Sequence, residues 1–135
     1  AVDGLDGGWT LDDTVAYAKE LKVLGIDVID CSSGGLFGSA TAARVKRSWG
    51  FQVPYAERVR REAGIQSMAV GLIVDPFAAE EIVQERRADL VAIAREALVN
   101  PCWPQMAEIA LGWWLKHRER SIEQIRSDEA AAKQG

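Results

Sequence analysis

From its start to roughly residue 112 the chain alternates helix signals with short apolar runs, and a chain built that way has few folds open to it. Thr10 stands as an N-cap with Asp13 three residues on. Leu11, Val15, Ala18, Leu21 and Leu24 then recur at helical spacing until Gly25 supplies a stop. Residues 26–31 are short and almost continuously apolar apart from their aspartates, which predicts a strand covered on both faces. Residues 36–52 mix Gly, Ser, Thr and basic residues without periodicity and read as a long loop, a kind of segment that tends to carry function. Pro54 opens a helix running to Ala63, with Gly64 as its stop, and residues 67–73 are a second buried strand. Asp75 and Pro76 open a further helix that carries Phe77, Ile82 and Val83 inward until Arg86. Residues 88–94 form the third strand, and beyond Pro104 one more helix reaches Leu111. Gly25-Ile26-Asp27-Val28-Ile29 and Arg87-Ala88-Asp89-Leu90-Val91 form a weak repeat, each joining a helix end to an apolar strand through one aspartate. A helix between successive strands requires them to be parallel with right-handed crossovers, which is α/β architecture.

Size and charge narrow the function. The 135 residues suffice for one domain with a core. Sixteen Lys and Arg against 20 Asp and Glu leave a net charge of −4, which disfavours a nucleic-acid partner. Apolar residues at 48% and charged residues at 27% are globular usage, not the profile of a disordered chain. Cys31 and Cys102 are too few for a disulfide scaffold, and neither stands at metal-ligand spacing with the one histidine, His117. No apolar run approaches the roughly 20 residues of a membrane helix, and the opening residues are polar, not the basic-then-apolar pattern of a signal peptide. The expectation is a cytoplasmic protein with no membrane partner.

Parallel α/β folds bind ligands beyond the carboxyl ends of their strands, so the chemistry is sought in three places. Cys31-Ser32-Ser33-Gly34-Gly35 combines hydroxyls with flexible backbone, either a ligand contact or a turn that needs positive φ. In Val70-Gly71-Leu72-Ile73 the glycine either admits a ligand close to the backbone or packs against a neighbour. Ile93-Ala94-Arg95-Glu96 puts a cation at a strand end and a helix start, where it either serves an anion site or pairs with a carboxylate.

In these segments the chain resembles the old yellow enzyme family of FMN-dependent NAD(P)H oxidoreductases, in particular its bacterial ene-reductase branch. The resemblance is carried by Asp3-Gly4-Leu5-Asp6-Gly7-Gly8-Trp9-Thr10, by residues 25–35, by Gln52-Val53-Pro54-Tyr55-Ala56, by Ala69-Val70-Gly71-Leu72-Ile73, by Ala88-Asp89-Leu90-Val91, and by Arg95-Glu96-Ala97-Leu98 with Asn100-Pro101. These occur in the family's order over about the first 112 residues.

The resemblance implies a (β/α) barrel of eight strands, which needs about 250 residues, so this chain would be a partial TIM barrel holding the sixth to eighth strands. It implies FMN as cofactor, NADH or NADPH as electron donor, and a small enone-type substrate. Gly71 and Arg95 match the family's FMN-phosphate positions, and Ser32 and Ser33 match the turn bordering the flavin. Ala94 stands where the family usually has glycine: it keeps the amide but adds a methyl group, which matters if the backbone needs positive φ. The family's substrate-anion pair, its tyrosine proton donor, the strand-five arginine and most flavin-ring contacts belong to the absent N-terminal portion. Its usual C-terminal segment is not visible in the tail. No residue of this chain matches a catalytic position. Tyr17 and Tyr55 fall on helices and His117 in the tail.

The remaining features read as structure. The five tryptophans, Trp9, Trp49, Trp103, Trp113 and Trp114, suit core or subunit packing; Arg44, Lys46 and Arg47 suit a solvated loop; the two cysteines suit idle thiols. The expected organisation is a barrel segment over residues 1–112 and a charged tail over 113–135. Three parallel strands alone leave two open edges and an incomplete core, so the chain is expected to require the N-terminal half of the barrel or an oligomeric partner and to be inactive alone. The alternative is a non-catalytic half-barrel that binds FMN or phosphate, or an interaction remnant.

Overall fold

A computed structural model describes residues 1–34 and 46–112. The chain divides into two compact units, Ala1–Arg95 and Glu96–Gly135. In order, the elements are α1 (Leu11–Val23), β1 (Val28–Asp30), α2 (Val53–Ala63), β2 (Gln66–Val70), α3 (Pro76–Gln84), β3 (Leu90–Ala92), α4 (Arg95–Val99) and α5 (Trp103–Ala110). The strands form one sheet in the order β1-β2-β3, with both pairings parallel. This is a small α/β fold of the expected kind.

Local signals set most boundaries. Thr10 accepts from the Asp13 amide while the Asp13 carboxylate accepts from the Thr10 amide, a complete capping box for α1. α2 stops at Gly64, whose φ of 64° is left-handed. Asp75 caps α3 by accepting from the Phe77 and Ala78 amides ahead of Pro76.

The strands are shorter than expected. Ladder geometry leaks past their ends: the Cys31 amide donates to Met68 O at 3.1 Å and the Asp89 amide to Ser67 O at 2.9 Å. β2 starts one residue early, at Gln66, and stops at Val70, because Gly71 (φ 123°) and Leu72 (φ 54°) leave extended geometry together.

The core lies between the sheet and its helices. α2 buries Val53, Ala56, Val59 and Ala63 along one stripe, against α1 and β2. α1 presents Val15 and Ala18 to the core, while Leu24, just past its end, is exposed. α3 corrects the expectation more sharply: it buries Ala79 and Ile82, but Phe77 and Val83 are exposed. A period of 3.6 residues puts Ala79 and Ile82 on one line and throws Phe77 and Val83 to its flanks.

The prediction of strands covered on both faces also fails. Along β2, Ser67 and Ala69 point to one side and are fully buried, whereas Gln66 is exposed and Met68 and Val70 are half-buried. The register aligns Asp30, Met68 and Leu90 across that second face, and both Asp30 and Leu90 are exposed. Among the described residues, the helices of the first unit leave this face open.

Asp89 ties the covered side together. Its carboxylate accepts from Arg60 Nε at 2.9 Å and from the Ser67 amide at 3.0 Å, joining α2, β2 and the entry to β3. No described helix is long and apolar enough to cross a membrane. The tail beyond residue 112, with Trp113, Trp114 and His117, lies outside the described residues, as do Gly35 and Arg44.

Candidate functional site

The register brings the three strand exits to one edge of the sheet. Val70 pairs with Ala92, so Gly71 and Ile93 leave the ladder side by side, with Ala94 and Arg95 next along the chain. On the other flank Asp30 pairs with Met68 and Cys31 still bonds Met68 O, so Ser32 and Ser33 leave the sheet at the same end. All five residues singled out from the sequence, Ser32, Ser33, Gly71, Ala94 and Arg95, thus sit at the carboxyl edge of three neighbouring strands.

A residue from the loop joins two of these exits. Gln52 is buried, with 5% exposure. Its Oε1 accepts from the Ser33 amide at 2.6 Å and from Ser33 Oγ at 2.7 Å, and its Nε2 donates to Val70 O at 3.2 Å. One carboxamide therefore spans from the turn after β1 to the last residue of β2. The Gly50 amide adds a second tie by donating to Gly71 O at 2.9 Å. In the sequence Gln52 stands only as part of a motif, and a polar residue at a helix start gives no sign that it will be buried.

Gly71 packs tightly against its neighbours. A Cβ there would lie 3.0 Å from Gln52 Nε2 and 3.0 Å from Phe51 Cε1, and φ is 123°. Glycine is required by this contact and by the backbone, whatever stands beyond the edge.

Ala94 does not adopt positive φ, so the methyl group that departs from glycine brings no backbone strain. Ala94 and Arg95 are both exposed. Among the described residues Arg95 makes no ion pair, whereas Arg58, Arg60, Arg61 and Arg87 all do. The carboxylate-pairing reading of Arg95 therefore has no support from the described residues. Arg95 opens α4, but five residues are too few for a helix dipole to add to the guanidinium.

Ser32, Ser33 and Gly34 line a cavity of about 310 Å³ with Val2, Asp3 and Trp9. Gly34 has φ 76°, the positive value anticipated for that turn, and its amide donates to Val2 O at 2.9 Å. Cys31 is buried, and burial pushes its thiol up to about 11, far from thiolate reactivity. Trp9 donates from Nε1 to Thr14 Oγ1 at 2.6 Å and meets Tyr17 edge to face. Trp49 is 74% exposed, and Lys46 and Arg47 are exposed as expected of a solvated loop. Among the described residues no cluster of three His, Cys, Asp or Glu side chains is placed to hold a metal ion.

A family model described as the NADH:flavin oxidoreductase / NADH oxidase family matches residues 1–112. Over 112 residues the chain is 47% identical to the NADPH dehydrogenase of Halalkalibacterium halodurans, covering 83% of this chain and 32% of that protein. It is 50% identical over 105 residues to the NADPH dehydrogenase of a Geobacillus species, covering 78% and 30%, and 42% identical over 112 residues to that of Listeria welshimeri, covering 83% and 32%. The chain spans about a third of the length of the curated relatives it matches. With the strand-exit motifs assembled on one edge and most of the chain matched, this protein belongs to the NADH:flavin oxidoreductase, or old yellow enzyme, family.

Proposed function

We propose that this chain supplies the cofactor-phosphate corner of an FMN-dependent NAD(P)H oxidoreductase, its strands being the sixth to eighth of a TIM barrel. The observation that carries the reading is Arg95: a guanidinium without an ion-pair partner among the described residues, at the edge where Gly71 and Ala94 also emerge. The residues fit a phosphate. A dianion set between these turns would meet the Arg95 guanidinium close to the Gly71 backbone, with the Ala94 amide within the same turn as Arg95. Ser32 and Ser33 would border the rest of the cofactor. FMN, when bound, supplies hydride transfer from the nicotinamide to the β-carbon of an activated alkene.

The chain's own part is to hold and orient, because Tyr17 and Tyr55 lie on α1 and α2 and neither belongs to the strand-exit edge. The proton donor and flavin-ring contacts would come from the remainder of the barrel. A cytoplasmic setting suits the two free thiols, Cys31 and Cys102.

Fluorescence titration of the full chain tests the reading. FMN should bind, Arg95→Ala should weaken it about tenfold or more, and riboflavin, which lacks the phosphate, should be indifferent to that change. Equal affinity of wild type and variant for FMN would overturn the assignment of Arg95. The open face of the sheet favours a second reading, an interaction remnant that recruits another chain; a wild-type protein that ignores FMN yet associates with a partner would select it.

A further inference from the structure

Ser33 and Gln52 form a pair whose hydrogen-bond polarity can be worked out. The Gln52 carboxamide has one orientation compatible with its neighbours, because its NH2 must face the Val70 carbonyl, which only accepts. Oε1 therefore faces Ser33, and there it receives both the backbone amide and the side-chain hydroxyl, at 2.6 and 2.7 Å. The Ser33 proton is committed inward, so Ser33 Oγ presents only lone pairs to the cavity that it lines. Ser32, exposed and without a side-chain hydrogen bond among the described residues, keeps its proton free.

From this we propose that Gln52 is a positioning residue that sets Ser33 Oγ as a dedicated acceptor, which takes a hydroxyl of the ligand's polyol chain and not a phosphate oxygen. A phosphate oxygen bears lone pairs and would meet lone pairs; a polyol hydroxyl brings the proton that Ser33 lacks. Through its bond to Val70 O, the same carboxamide holds this acceptor at a fixed distance from Gly71, so polyol and phosphate are read by one rigid unit. The inference rests on the flavin-phosphate reading above and deepens it by assigning a different part of the ligand to a different turn.

Titrations of the full chain with FMN, riboflavin and lumiflavin, whose ring carries no polyol, separate the outcomes. Ser33→Ala should weaken FMN and riboflavin alike, by about tenfold, and leave lumiflavin unchanged. Gln52→Glu adds a pH readout: protonated, the acid reproduces both the acceptor and the donor of the amide, whereas ionised it sets a negative charge against the Val70 carbonyl. Its riboflavin affinity should therefore fall as pH rises through the new carboxyl's titration, while that of wild type stays level. If Ser33→Ala weakens FMN but spares riboflavin, Ser33 serves the phosphate and the proposal fails. If all three ligands weaken equally, or if Gln52→Glu shows no pH dependence beyond wild type, Gln52 is merely structural and the proposal fails. A wild-type chain that binds none of the three overturns the flavin-phosphate reading itself, an outcome distinct from both.

Discussion

At Gly71 the space that a side chain would need is already filled by Gln52 and Phe51. This contact by itself requires a glycine here, without reference to any ligand. Gly71→Ala must adopt a φ of 123° and push aside a buried carboxamide, which together cost about 2 kcal/mol or more; chemical denaturation should record that loss with an unchanged m-value. Asp3 makes a different kind of prediction. Its carboxylate accepts from the Leu5 amide at 2.9 Å and the Trp9 amide at 2.8 Å, and these bonds hold it below the ordinary carboxylate range. A lowered folded pKa means stability that is in full above the unfolded value of about 4 and is lost as pH falls through the folded one. Acid titration of wild type should therefore show a component below about pH 4 that is missing in Asp3→Asn. A slope identical in both proteins would refute that role.

Among the elements, the helix ends were the most legible, because a cap acts on the chain within three or four residues. The Thr10 capping box, the Asp75 cap and the Gly64 stop all stand where the sequence placed them. α3 ends differently: beyond its C-cap Glu85, Arg86 takes the left-handed conformation at φ 58° that α2 gives to a glycine. Arg86 is exposed, so Arg86→Gly should relieve the strain and raise stability by roughly 0.5–1 kcal/mol, read as a higher denaturation midpoint. The aspartate repeat was legible as pattern but not as role. Asp89 binds Arg60 and the Ser67 amide, while Asp27 is exposed and has no such partners among the described residues. The difference lies in what stands opposite each aspartate, and α2 faces only one of them.

On the scale of the whole molecule, an all-parallel sheet normally has both faces covered, and in the first unit one face is open. Both outer strands also present unpaired edges among the described residues, β1 on one side and β3 on the other. Leu90 sits where the open face meets the β3 edge, 47% exposed. The isolated chain should therefore self-associate with rising concentration and bind an apolar dye. Leu90→Lys should reduce both while leaving the thermal midpoint nearly unchanged. Sedimentation velocity checks the first effect and dye fluorescence the second; a wild-type chain that stays monomeric and dark would remove the case for a missing covering layer.

Interactions within one turn of helix, and the alternation of helix with apolar run, determined the elements, their order and the parallel sense of the sheet. The same stretches, in their order, also carried the family. Gln52 lies 19 residues from Ser33 and 18 from Val70, and only the packed fold brings these three together. Tertiary structure alone decided that Gln52 is buried, that Gly71 is spaced by contact, and which face of the sheet stays bare. Local pattern reports which side of an element is apolar; what finally lies against that side depends on residues distant in the chain.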